Sequence, residues 1–182
     1  MPDFARFLPL SQRRPGDEAD VDSNRRRALA DVIAQAGALV RSAASRRSET
    51  ADDFVYHCGL RAEFATVDAG EPAERLLALS AAVRDGRRRG IRALADGTRA
   101  LLLVARDHGV EVQLPALTAG AVALYASTTA PLERRAVVKG HTLRATDADW
   151  SFGRGPVLEA PATQFAAFLL GASDRPPITP PR

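Results

Sequence analysis

Gly140-His141-Thr142-Leu143-Arg144-Ala145-Thr146-Asp147-Ala148-Asp149-Trp150-Ser151-Phe152-Gly153-Arg154-Gly155-Pro156 is the stretch where this sequence stops reading as helix. Thr142–Thr146 reads as a strand after a turn at Gly140, and 150–156 as a glycine-punctuated turn. Val157-Leu158-Glu159 reads as a second short strand. Pro161 then opens a helix that turns Phe165, Phe168 and Leu169 inward and closes at Gly171. A small strand–strand–helix unit is therefore expected over residues 131–172, followed by a Pro-rich, structureless tail over 173–182.

Upstream, the apolar spacing is helical. Leu29, Val32, Ile33, Ala36, Val40 and Ala43 share one face and predict a helix over 23–46, with Ser23 as its cap. Thr50-Ala51-Asp52-Asp53 reads as a capping box, in the variant that ends in Asp, and starts a second helix. Phe54, Cys58, Arg61 and Ala65 would form its inner face, with Gly70 as its end. Pro72 and Gly86 bracket a third helix that buries Leu76, Leu77, Ser80 and Val83. A short turn at Ile91–Ala95 is expected next, and then a fourth helix capped by Asp96 or Thr98. That helix runs through Leu101, Leu102, Leu103 and Val104 to His108 and stops at Gly109; being apolar nearly all round, it belongs at the centre. A fifth helix is expected over Ala116–Ser127. The fold class is thus mainly α: a flexible lead-in over 1–22, a four- or five-helix bundle over 23–130, and the small α+β unit.

Composition fits that class. Apolar residues make up 46% of the 182 and aromatic residues only 5%, so the core must be built from Ala, Leu and Val, of which Ala and Leu are strong helix formers. No apolar run approaches the ~18–20 residues that span a bilayer. The first twenty residues, broken by Arg13, Arg14, Pro15 and Asp17, hold no signal-peptide apolar stretch. Cys58 is the only cysteine, so no internal disulfide forms, and the expected location is cytoplasmic. The net charge, 25 − 22 = +3, comes largely from Arg25-Arg26-Arg27 and Arg87-Arg88-Arg89. Such runs admit a nucleic-acid partner, but so small an excess reads more simply as a solvated helix face and a loop.

The segment from Gly140 to Pro156 resembles the C-terminal unit of the mycothiol-dependent, maleylpyruvate-isomerase-like family. In that family a strand ending in Ala-Thr-Asp leads into a Trp-Ser-x-Gly-x-Gly turn, a valine strand, a Gly-Pro step and an apolar helix ending in Gly. Here Ala160 stands in place of the glycine before Pro161. A weaker similarity extends upstream over Asp53–Phe64, Glu71–Arg89 and Leu101–Pro115. The resemblance implies a DinB-like four-helix bundle with a divalent metal, usually zinc, between its helices. The metal would hold a small thiol as thiolate or polarise a substrate. In the type reaction mycothiol adds to maleylpyruvate, the former double bond rotates, and elimination gives fumarylpyruvate, so the partners implied are a small-molecule thiol and a small substrate.

The departures from the family pattern bear directly on that chemistry. The stretch Gly-Trp-Thr-x-Arg-Asp-x-x-x-His, which carries the first metal ligand, has no counterpart between the first helix and Thr50. The Val-His-x-x-Asp of the fourth helix corresponds to Leu103-Val104-Ala105-Arg106-Asp107, with Val104 where the His would be and only Asp107 matching. A metal needs three or more converging donors. The candidates that remain as substitute ligands are His57, Asp107 and His108.

Each has a plainer reading. His57 suits a helix surface beside a small buried Cys58, and His108 suits a helix C-terminus. Asp147 and Asp149 flank a turn, where Asp bonds backbone N–H groups more often than it serves as an acid or base. Trp150 is expected to anchor the small unit on the bundle. Gly153-x-Gly155-Pro156 lacks the Lys and long helix of a phosphate loop. The expectation is a non-catalytic or weakly catalytic binding module with a degraded metal site. The alternatives are an active metal- and thiol-dependent isomerase or transferase with relocated ligands, and a basic nucleic-acid-associated protein.

Overall fold

A computed structural model describes residues 23–43, 46–68 and 70–180. The expected lead-in over 1–22 and the last two residues lie outside the described part. The chain is mainly helical, with a small three-stranded sheet near its end. The helices are α1 Arg26–Ser42, α2 Arg47–His57, α3 Arg61–Ala65, α4 Pro72–Asp85, α5 Ile91–Asp107, α6 Ala116–Thr129, α7 Leu132–Val138 and α8 Ala162–Leu169. The strands are β1 Thr142–Ala145, β2 Ser151–Gly153 and β3 Val157–Ala160. Among the described residues no helix is long and apolar enough to cross a membrane.

Helix α1 packs mainly on α4 and α5. Its close approach to α4 needs Gly37, where a Cβ would lie 3.3 Å from the Ala73 carbonyl oxygen. The buried Ser80 hydroxyl ties the pair together by donating to Ala30 O at 2.7 Å. Helix α5 is central, as its composition predicts: Leu94, Leu101, Val104 and their neighbours are buried, and it packs on α1, α2 and α6.

Several boundaries differ from those read in the sequence, each for a local reason. Helix α1 stops at Ser42 because Ala43 turns extended. Thr50 lies inside α2, and its hydroxyl donates back to Arg46 O at 2.9 Å rather than capping the helix. Helix α2 ends at His57 instead of running on to Gly70. Gly59 takes φ +71, and Leu60 N–H closes the end on Val55 O at 3.0 Å. Helix α5 is continuous from Ile91, with no separate turn before Asp96. Gly97 costs about 1 kcal/mol of helix propensity, but it is buried against α1, and a Cβ there would lie 2.5 Å from a Leu29 methyl.

The sheet order is β2-β1-β3, with β1 antiparallel to β2 and parallel to β3. Part of the expected turn is thus a strand, with Phe152 opposite Leu143. Helix α7 was not foreseen. The expected structureless tail returns to the sheet at Ile178, which exchanges backbone bonds with Glu159 at 2.7 and 3.0 Å. Helices α6 and α8 pack on each other, and with the sheet they enclose a second core around Phe165, Leu143, Leu158 and Leu169. Trp150 packs against both cores.

Candidate functional site

The family-like turn is built on backbone necessity. Gly153 and Gly155 take φ +102 and +114, and a Cβ on them would lie 2.3 Å from His141 O and 2.1 Å from Gly140 O. Only residues without a side chain let this turn fold back onto 140–141. Trp150 packs against Gly120 of α6, with the indole 3.2 Å from where a Cβ would be. It stacks on Phe152 at 5.5 Å and is tilted on Phe165 at 5.5 Å. Asp147 serves as a helix cap: its carboxylate accepts from Ala162 N–H, at the start of α8, at 2.7 Å. Asp149 is exposed.

The candidate metal ligands are not assembled into one cluster. Asp107 is exposed and accepts from its neighbour Arg106, with Nε at 3.0 Å and Nη2 at 2.9 Å. His108 lies beside it at the end of α5, with Nε2 3.0 Å from Thr50 Oγ1. The Thr50 hydroxyl also lies 2.9 Å from Arg46 O, so it ties the end of α5 to the start of α2. His57 is exposed at the far end of α2, packed edge-on to Tyr56. Counting from Thr50 to His57 gives seven residues, about 10 Å of helix rise. The neighbouring Cys58 feels the charge of Asp96, which precedes Asp107 on α5 by eleven residues, or about 16 Å of rise. Asp107 and His108 are thus together and His57 is apart. Among the described residues no three His, Cys, Asp or Glu side chains gather in a metal-binding group. Val104, at the position of the family's histidine, is buried in the core at 5% exposure.

Cys58 is a core residue. Its thiol donates to Val55 O at 3.6 Å, and burial pushes it up to about 12. The native protein is therefore expected to leave Cys58 unreacted with a thiol-specific disulfide reagent at neutral pH, and to react within seconds once unfolded in guanidinium. Alkali should also weaken the fold. Above the ordinary thiol pKa of ~8.5 the unfolded chain releases this proton and the folded chain does not. Stability from this group then falls by up to about 1.4 kcal/mol per pH unit as pH rises towards the folded value. A denaturation series at rising pH, with Cys58→Ala as reference, checks the slope.

The two arginine runs meet at one end of the bundle, where Arg25 N–H donates to Arg89 O at 2.6 Å. Several of their guanidinium groups are used internally. Arg26 donates to Gly86 O at 2.8 Å, and Arg88 to Ser23 Oγ at 2.7 Å. Arg87 and Arg89 converge on Glu63 at 3.4 and 3.0 Å. Burial opposes the charge on Glu63, yet the hydrogen bond from Arg89 and the charges of both arginines hold its carboxyl below the usual range.

No family model matches the chain, and neither a curated protein nor a solved structure does. Any functional reading therefore rests on the geometry. Two cavities stand out. One, of about 680 Å³, lies between the end of α5 and α8. Its Asp147 and Thr163 are committed to backbone N–H groups of Ala162 and Leu114. The other, of about 590 Å³, lies between α7 and the β1–β2 hairpin. Its polar groups form no motif in the sequence: Arg135, Lys139 and His141 follow one another along the end of α7 and just beyond it, and Arg154 joins them only from the turn after β2.

Proposed function

We propose that this chain is a non-catalytic binding module of the mycothiol-dependent, maleylpyruvate-isomerase-like family, in which a DinB-like bundle keeps its C-terminal unit and has given up metal chemistry. Support for the family comes from the Trp-Ser-x-Gly-x-Gly turn, each of whose glycines meets a backbone demand, and from the inward helix that follows it. The observation that carries the loss of chemistry is at the fourth-helix position. Val104 is buried among core residues, and the only matching donor, Asp107, is paired with Arg106.

Zinc and mycothiol chemistry through substitute ligands fits this arrangement poorly. His57 lies too far along α2 to join the Asp107–His108 pair, and Nε2 of His108 is already hydrogen-bonded to Thr50. Nucleic-acid association ranks behind the binding module, since several arginine side chains near Gly90 are held in internal bonds, Arg87 and Arg89 on Glu63, Arg26 on Gly86 O and Arg88 on Ser23 Oγ.

Metal analysis decides between module and enzyme. Protein purified without chelator is expected to hold zinc far below one ion per chain, and added zinc is expected to leave its melting temperature unchanged. Stoichiometric zinc that survives dialysis and is lost in His108→Ala or Asp107→Asn would overturn the reading in favour of an enzyme with relocated ligands.

A further inference from the structure

The cavity between α7 and the β1–β2 hairpin joins an apolar floor to a cationic rim. Val138, Leu143 and Phe152 form the floor. Arg135, Lys139, His141 and Arg154 supply the charged and polar part, and no carboxylate lines it. Among the described residues none of Arg135, Lys139 and Arg154 is in an ion pair.

Two adjacent arginines on α7 differ in how far the protein uses them. Arg134 is fully committed: its guanidinium donates to Phe168 O and Ser173 O at 2.7 Å each and to Asp174 at 2.6 Å. Arg135 is half-buried and has one long bond, from Nη1 to Thr128 O at 3.3 Å; its buried Nε has no partner. That Nε is closed to solvent, so an anion in the cavity would meet the guanidinium at its Nη end, where only the long bond to Thr128 O competes among the described residues. The planar guanidinium fork matches a carboxylate in shape as well as charge. Gly140 and Gly153, both in the wall, put no side chain into the space.

We propose that this cavity binds a small amphipathic carboxylate, with its oxyanion on Arg135, flanked by Lys139 and Arg154, and its apolar body on Phe152, Leu143 and Val138. Its volume lies within the ~300–1,000 Å³ of ordinary small-molecule sites. The proposal is independent of whether the bundle holds a metal.

The protein carries its own reporter. Trp150 is the only tryptophan and stacks on Phe152 at 5.5 Å, so filling the cavity should alter its emission. Hexanoate, hexanamide and inorganic phosphate are titrated separately at constant ionic strength. The expected result is saturable binding of hexanoate, with hexanamide and phosphate each at least about tenfold weaker. Arg135→Gln is expected to weaken hexanoate by about tenfold, the loss of one charge-assisted bond. Arg144→Gln, which removes a pair with Glu159 elsewhere on the sheet, should leave it unchanged. Equal affinity for hexanamide overturns the anion site, and equal affinity for phosphate overturns the role of the apolar floor. Absence of saturation by about 10 mM hexanoate overturns the proposal altogether, since so weak a site falls short of ~3 kcal/mol of binding energy. Should Arg135→Gln fail to fold, the acid–amide comparison on the unaltered protein still decides.

Discussion

Replacing Gly155 by alanine is expected to destabilise the folded chain by about 3–5 kcal/mol, near the upper end for a single substitution. Two independent costs add. A side chain at φ +114 occupies backbone space that costs about 1–3 kcal/mol. The new Cβ would also sit 2.1 Å from Gly140 O and 3.0 Å from its carbonyl carbon. The obstacle is backbone, so no rotamer change relieves it. Moving the turn away would break the bond from Thr142 N–H to Pro156 O at 2.9 Å and that from the Thr142 hydroxyl to Gly155 O at 3.1 Å. These bonds hold the start of β1 against the turn. Urea denaturation followed by circular dichroism measures the loss. Gly90→Ala is the reference, because nothing lies within 4 Å of its would-be Cβ and its φ is −86; it should change stability by less than about 1 kcal/mol. If the two variants differed by less than this, the close approach of the turn to residues 140–141 would be wrong.

The contrast between these glycines explains which parts of the fold were legible. Where local chemistry punctuates the chain, sequence and structure agree. Pro72 and Gly86 bracket α4, and Pro161 and Gly171 bracket α8, because proline at a helix start and glycine after its end act within one turn. Where a distant residue decides, the sequence was mute. Asp96 and Gly97 look like the beginning of a helix, yet α5 passes through them because Leu29 of α1 fills the space beside the glycine. Three residues, Ser151–Gly153, are too few to show a strand period, and β2 exists because β1 offers it an edge. Two-turn α7 is held by Arg134 reaching to the end of α8. The candidate site follows the same rule. His57, Asp107 and His108 attract notice as donors, but nothing in their spacing discloses that His108 is bound to Thr50 or that α2 stops at His57. The cations of the α7 cavity are invisible for the opposite reason: they are ordinary surface residue types until a turn and a helix bring them together.

Phe165→Ala is expected to cost about 3–5 kcal/mol, whereas Trp150→Phe, at the larger side chain it touches, is expected to cost less than about 1.5 kcal/mol. Phe165 is fully buried between α6 and the sheet, and its truncation leaves a hole lined by residues fixed in three elements. Trp150 is only partly buried, and its indole Nε1 is a buried donor without a partner among the described residues. Phenylalanine keeps most of the contact with Gly120 and Phe152 and removes that unsatisfied N–H, worth about 1–3 kcal/mol against the fold. The lost area and the relieved donor therefore nearly offset. The two cores share Trp150, so in Phe165→Ala the helices and the small unit should still unfold together. Far-ultraviolet circular dichroism, dominated by the bundle, and Trp150 emission, which reports the small unit, should give coincident urea transitions. Separate transitions would mean that the indole is too weak a link to couple the two cores, and the cavity beside α7 would then belong to a unit that opens on its own.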